Sequence, residues 1–206
     1  MITLYAHPSR NALKVQIFLQ EVGLQHNLVD THTLEKGTPD DAIFRRASPT
    51  GQAPALYDPD TDVALFESSA ILIYLAEKTG RFLPGPDRPQ ARAETLKWLI
   101  FEAANLCPAM LDVYHYTIKA DAAHPYAEDR ARTLTRQALG VLDGALNLDQ
   151  GRDFLAGEYS IADMILYPWM TILEDLADIA LGDYPALTAW AARMVERPAV
   201  QIYASA

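Results

Sequence analysis

The chain has 206 residues, half of them hydrophobic and 21% charged, a balance that suits a folded globular protein and excludes a disordered one. Its 27 acidic against 17 basic side chains leave a formal charge of −10, which argues against a nucleic-acid partner. One cysteine, Cys107, excludes an internal disulfide framework, and five histidines without HxH or HExxH spacing give no reason to expect a metal site. No apolar run approaches the roughly 18 residues of a membrane span, and no basic leader with a long apolar stretch opens the chain. A cytoplasmic protein with no membrane partner is expected.

Residues 2–6 read as a first strand. Over residues 12–22 the apolar positions Leu13, Val15, Ile17, Phe18, Leu19 and Val22 recur at helical spacing, and Gly23 stands where a left-handed residue ends a helix. Residues 26–33 alternate weakly and predict a second strand; a polar stretch, 35–41, then leads into a short helix reaching Ala47. Residues 54–57 and 63–66 flank the turn-rich 58–62 and predict a hairpin. Residues 68–79 predict a helix with Ser68 as its N-cap and Gly80 just past its end. The order is βαβαββα, an α/β layer arrangement.

Residues 83–89, with three prolines and no apolar periodicity, read as a linker between a first domain at 1–82 and a second at 90–206. Everything beyond is helical in pattern, over 91–118, 127–148, 161–176 and 187–196. Ser160 and Asp163 form an S-x-x-D capping box ahead of an apolar run and are read as structural. Pro108 is expected to kink or end its helix. Cys107 reads as a small buried apolar residue, with a reactive thiol as the alternative. Tyr114, His115 and Tyr116 form either a core stripe or a pocket wall.

Residues 47–56, Ala-Ser-Pro-Thr-Gly-Gln-Ala-Pro-Ala-Leu, place a proline at the start of a strand after a glycine turn. The stretch resembles the SPxGxxPAL motif of the glutathione transferase superfamily. That resemblance implies a cis Pro54 and a backbone at Ala53 that pairs with the cysteinyl part of glutathione. Residues 66–71, Phe-Glu-Ser-Ser-Ala-Ile, are similar to the E-S-x-A-I motif at the start of the family's third helix. Ser68 and the helix N-terminal N–H groups suit the γ-glutamyl carboxylate, and Glu67 the amine. In the loop 5–15, Ser9 and Asn11 ahead of Lys14 and Val15 resemble the Thr/Asn arrangement of the bacterial nu class. Tyr5 and His7 are the competing candidates there, and Arg10 is expected to face solvent.

Segments 75–80 and 125–130 are also similar to nu-like enzymes, so the resemblance spans nearly the whole chain. It implies a thioredoxin-like N-terminal domain followed by an all-α domain, and a homodimer. Arg130 resembles an arginine that in the nu class reaches a glutathione carboxylate, within its own subunit or across a dimer interface. Where nu-like enzymes hold the glycyl end with a glutamine, this chain has Lys36-Gly37-Thr38-Pro39, and Lys36 or Gln52 is the substitute.

The chemistry needs a thiolate near pH 7 from a thiol of pKa about 8.5. A shift of about two units takes roughly 2.7 kcal/mol, within reach of one or two hydrogen bonds from Asn11 and Ser9 to the anion. The leading expectation is a transferase that conjugates glutathione to small hydrophobic electrophiles, with no metal. The alternatives are a disulfide-bond reductase or peroxidase that draws on two glutathiones, and a non-catalytic binding or regulatory protein.

Overall fold

In the computed structural model, which describes residues 1–148 and 152–204, strand β1 (Ile2–Ala6) lies inside a four-stranded mixed sheet. It runs parallel to β2 (His26–Asp30) and antiparallel to β3 (Ala55–Asp58), which pairs in turn with β4 (Val63–Phe66), for an order of β2-β1-β3-β4. Period-two alternation sorts the strand residues to two faces. Ile2, Leu4 and Leu56 pack with helices α1 (Arg10–Val22) and α3 (Ser68–Thr79), while Tyr5 and Ala55 pack with α2 (Pro39–Ala47). The predicted βαβαββα order is the observed one.

Local chemistry sets the ends of these elements. β2 stops short of the predicted Thr33 because the Asp30 carboxylate accepts from the His32 N–H at 2.9 Å and its carbonyl from the Thr33 N–H at 3.3 Å, a turn that competes with the ladder. Ser9 caps α1 by accepting from the Ala12 N–H at 3.2 Å, and Gly23, at φ 63°, ends it. Ser68 is not the N-cap of α3. It is the first helical residue, and Glu67 holds the cap position with φ 70°, ψ 115° and no side-chain cap bond. β4 ends at Phe66 and α3 begins at Ser68, so Glu67 alone turns the chain from strand to helix.

Beyond residue 80 the named elements are helical: α4 (Pro89–Phe101), α5 (Cys107–Tyr114), α6 (Pro125–Leu146), α7 (Ile161–Met170), α8 (Leu173–Ala177), α9 (Pro185–Val195) and α10 (Pro198–Ala204). The rod predicted over 91–118 is interrupted by π turns at Glu102–Leu106 and His115–Lys119. Pro108 accounts for the first. It brings no N–H and its ring would collide with the carbonyl four residues back, so the preceding turn widens and the Cys107 N–H bonds to the Glu102 carbonyl. The helix predicted over 161–176 breaks after Met170, where the Thr171 hydroxyl donates to the Pro168 carbonyl at 2.9 Å and uses up an end-of-helix acceptor. α10, at seven residues, is too short to show a helical period in the sequence.

The two domains share one continuous core, in which α1 packs against both α3 and α7. At its far end Glu21 accepts from the Arg197 guanidinium at 2.6 and 2.9 Å and from the Tyr159 hydroxyl at 3.0 Å, with Arg197 lying over the Tyr159 ring. The capping box is formed: Ser160 Oγ accepts from the Ala162 N–H, and Asp163 Oδ2 from the Ser160 N–H at 2.9 Å. Asp163 Oδ1 also accepts from the Leu155 N–H at 3.0 Å and the Trp190 indole at 2.9 Å.

Full burial pushes the Asp163 carboxyl up to about 6 against these donors. A value raised above the unfolded one means that its contribution is largest below pH about 3.8 and shrinks as pH rises through about 6. Asp163→Asn must present an N–H2 to one of the donors, so a loss of about 1–3 kcal/mol is expected at neutral pH. The deficit should be larger near pH 4 than near pH 7. Urea unfolding followed by circular dichroism at both pH values measures it.

Candidate functional site

Register brings three chain segments to one edge of the sheet. Tyr5 pairs with Ala55 and Ala55 with Phe66, so the end of β1, the start of β3 and the end of β4 lie side by side. The segments attached there are the loop into α1, the turn before β3 and the junction into α3. A cleft of about 100 Å³ opens at this edge against the helical domain. Asn11, Gln52, Ala53, Pro54, Glu67 and Ser68 line it from the sheet side, and Glu102, Ala103 and Cys107 line it from the helical side.

The turn before β3 is built from its own side chains. Gly51 takes φ 70°, a conformation glycine adopts without cost, and its N–H bonds to the Ser48 carbonyl at 3.0 Å. Ser48 Oγ donates to the Gln52 carbonyl at 2.8 Å. The Ala53–Pro54 peptide is cis. At the next junction Glu67, exposed and at positive φ, stands ahead of the α3 N-terminus, with Ser68 buried behind it. Positive φ in a non-glycine residue costs of order 1–3 kcal/mol and persists where the surroundings hold it.

Asn11 sits in the first turn of α1 and lines the cleft, whereas Ser9, the cap of that helix, stands one step outside it. Arg130 is exposed on α6, away from the cleft of its own chain. Lys36 is exposed in the loop before α2. Arg10 is half-exposed at the surface, and its guanidinium donates to the exposed Thr171 Oγ1 at 2.9 Å, bridging the two domains. Tyr114 lies 39% exposed at the end of α5, and His115, Tyr116 and His124 stack edge to face outside the cleft.

Tyr5 is buried on the opposite side of the sheet, where its hydroxyl donates to Asp40 at 3.3 Å. Burial and the Asp40 carboxylate push it up to about 12. His7 bonds to Thr31 at 2.9 Å and stacks on His32; burial and that neighbouring ring hold it below its ordinary value. Neither reaches the cleft lining.

A buried ion pair stands in the cleft wall. Lys14, without exposed surface, donates to Asn11 Oδ1 at 2.7 Å and to the equally buried Glu102 at 2.5 Å. Glu102 also accepts from the Trp169 indole at 2.6 Å, and the Lys14 ammonium lies 5.0 Å from the centre of that ring. The available signal was a charge on an apolar stripe: Lys14 precedes Ile17 and Phe18 by three and four positions, and Glu102 follows Trp98 and Leu99 likewise.

A thioredoxin-like sheet domain with a cis proline ahead of its third strand, carrying a helical domain against one edge, defines the class. The chain belongs to the glutathione S-transferase family, residues 1–77 matching the N-terminal and 106–198 the C-terminal domain model. It is 37% identical over 206 residues to the disulfide-bond oxidoreductase YfcG of Escherichia coli, covering 97% of this chain and 92% of that one. A glutathione transferase from Pseudomonas putida, solved with one glutathione disulfide per subunit, superposes with a TM-score of 0.84 at 32% identity over 98% of this chain and 90% of its own. A family member from Pseudomonas fluorescens with two glutathiones bound gives 0.84 at 32% identity, over 98% and 92%.

Cys107 is half-buried in the cleft wall. Burial pushes its thiol up to about 11, Glu102 and Glu67 add to the rise, and Lys14 opposes it. A thiol at that value is about one part in a thousand thiolate at pH 8, against roughly a quarter for free cysteine. Alkylation of Cys107 by iodoacetamide in the folded protein is therefore expected to run about two orders of magnitude slower than that of free cysteine. Mass spectrometry of timed aliquots checks it.

Proposed function

We propose that this protein reduces disulfide bonds with glutathione as the electron source. The observation that carries the reading is the makeup of the cleft: a lining of mixed polarity in which Asn11, Gln52, Glu67, Ser68 and Glu102 meet, and whose one thiol, Cys107, is held protonated. With no other cysteine in the chain, both electrons must come from bound thiols. The similarity to YfcG, and relatives solved with glutathione disulfide or two glutathiones, supports it.

The backbone of Ala53 beside cis Pro54 takes the cysteinyl part of the first glutathione. Ser68, the first N–H groups of α3 and Glu67 take the γ-glutamyl end, and Gln52 lies within reach of the remaining backbone. The sulfur then falls beside the α1 N-terminus, where the Asn11 amide is the nearer donor and the Ser9 hydroxyl the second. The bound thiolate attacks one sulfur of the substrate; the S–S bond breaks, a mixed disulfide forms and the other sulfur leaves as a thiolate that takes up a proton. A second glutathione thiolate attacks the glutathione sulfur of the mixed disulfide, giving glutathione disulfide and the second reduced thiol. In a homodimer, Arg130 of the neighbouring subunit is assigned to a glutathione carboxylate. A cytoplasmic setting, where glutathione stays reduced, suits this chemistry.

Conjugation to a hydrophobic electrophile uses the same thiolate and is the second reading, favoured by the match to the transferase domain models. It calls for a broad apolar wall, and the helical domain offers the cleft only the small side chains of Ala103 and Cys107 beside Glu102. Turnover of a small soluble disulfide, coupled to glutathione reductase, decides between them. The expected result is glutathione-dependent turnover that falls by about 10- to 100-fold in Asn11→Ala at neutral pH, the loss of one hydrogen bond to a charged group. Glutathione binding without such turnover would transfer the assignment to conjugation.

A further inference from the structure

Asn11 carries the proposed thiolate contact, yet an asparagine amide presents an acceptor at one end and donors at the other, and only the donor end stabilises an anion. In this protein the choice is made by Lys14. An ammonium group has donors only, so the end of Asn11 that meets Nζ at 2.7 Å is its carbonyl oxygen, which leaves Nδ2 as the opposite end. No protein group among the described residues accepts from Nδ2, and no buried side-chain nitrogen or oxygen there lacks a partner, so Nδ2 lies open to the cleft.

We propose that Lys14 is a positioning residue for the glutathione thiolate. It acts through Asn11, fixing the amide with its N–H2 toward the sulfur and polarising it from behind. This rests on the assignment of the sulfur to Asn11 above. Hydrogen bonds in series reinforce one another, so a carbonyl that accepts from a cation makes its own N–H a stronger donor. Lys14 is itself held by Glu102 in the π turn and, through that carboxylate, by Trp169 on α7. Both belong to the helical domain, so the donor end of Asn11 is set by how that domain seats on α1. The charged and titratable groups facing the sulfur position are Lys14 from α1, Glu67 ahead of α3, Glu102 from the π turn and Cys107 from α5.

The test is the pKa of the thiol in bound glutathione, read from thiolate ultraviolet absorbance against pH, with the affinity for S-methylglutathione measured in parallel by calorimetry. Lys14→Met is expected to raise that pKa by about one unit, costing about tenfold in thiolate at a pH below both values. Affinity for S-methylglutathione, which has no thiol, should stay within about twofold, well under the tenfold that 1.4 kcal/mol would give. Because Lys14→Met strands Glu102 in the core, the double variant Lys14→Met/Glu102→Gln is made as well; it keeps an acceptor for Trp169 and leaves no lone charge. It is expected to show the same rise, and Lys14→Arg to hold the wild-type value.

A double variant that folds, binds S-methylglutathione and keeps the wild-type thiol pKa would overturn the proposal, provided that Asn11→Ala raises it. A wild-type protein that leaves the bound thiol at its free value would instead remove the glutathione-thiolate reading itself, and the role of Lys14 with it.

Discussion

A buried charge has to be answered by another and by hydrogen bonds, and that requirement is met at one point on which the placement of the candidate site depends. Lys14 on α1 and Glu102 in the first π turn are both about 1% exposed in their side chains, and they meet at 2.5 Å. Taking away one partner of such a pair costs about 3–5 kcal/mol, because the other charge is left uncompensated. Their contact therefore fixes how the sheet domain and the helical domain meet. α1 is held from its first turns by Glu102 and Trp169, and from its last turn by Arg197 and Tyr159 through Glu21. Between those two polar ends the interface is an apolar core shared by both domains, which supplies area and packing complementarity. The charged contacts add directional bonds at its two ends.

The net charge of −10 would repel an anionic ligand at long range, while the candidate cleft presents N–H donors at short range. The pairing of Tyr5 with Ala55 and of Ala55 with Phe66 gathers the N-terminal ends of α1 and α3 at the same edge of the sheet. Each end presents N–H groups without helical partners and a partial positive charge that decays within the first turn. Lys14 adds a full charge behind Asn11, Glu102 balances it and Glu67 adds a further carboxylate, so the groups that can answer an anion there are N–H donors of the helix ends and of Asn11 rather than a bare cation. The acidic surface then bears on solubility and encounter, and the backbone geometry on recognition.

Much of this was legible in the sequence wherever local chemistry decides. The apolar stripe of α1, its Gly23 stop and the Ser160–Asp163 box all encode a helix end or face by interactions a few residues long. The cis peptide at Pro54 came instead from the resemblance of residues 47–56 to a family motif. Errors arose where a distant partner or a covalent constraint sets the outcome. Ser68 looked like a cap because serine is a good one, but the strand runs to Phe66 and leaves the cap position to Glu67. The rod over 91–118 reads as one helix because a π turn preserves helical spacing on either side, and only Pro108 hinted at the break. Arg10 stays at the surface, but its bond to Thr171 needs a partner 161 positions away that no local pattern supplies. The Lys14–Glu102 pair lies 88 positions apart in sequence, and no local pattern joins the two. Each showed only as an anomaly, one charge on an apolar face, until the fold placed them together.

On the proposed reading, the indirect route from Lys14 to the sulfur has a chemical rationale. Thiol–disulfide exchange gains from a larger thiolate fraction but loses nucleophilicity as the thiol's pKa falls, with a Brønsted coefficient of about 0.4–0.5, so the best attacking thiol has a pKa near the ambient pH. A lysine in direct contact with the sulfur would stabilise the anion strongly and blunt its attack. A neutral amide placed between them, backed by an ammonium whose charge Glu102 already shares, gives a hydrogen bond of intermediate strength. The arrangement of Asn11, Lys14 and Glu102 therefore suits a thiolate that must form near neutral pH and still leave its donors for a sulfur atom, and it does so without using Cys107, the one thiol of the chain.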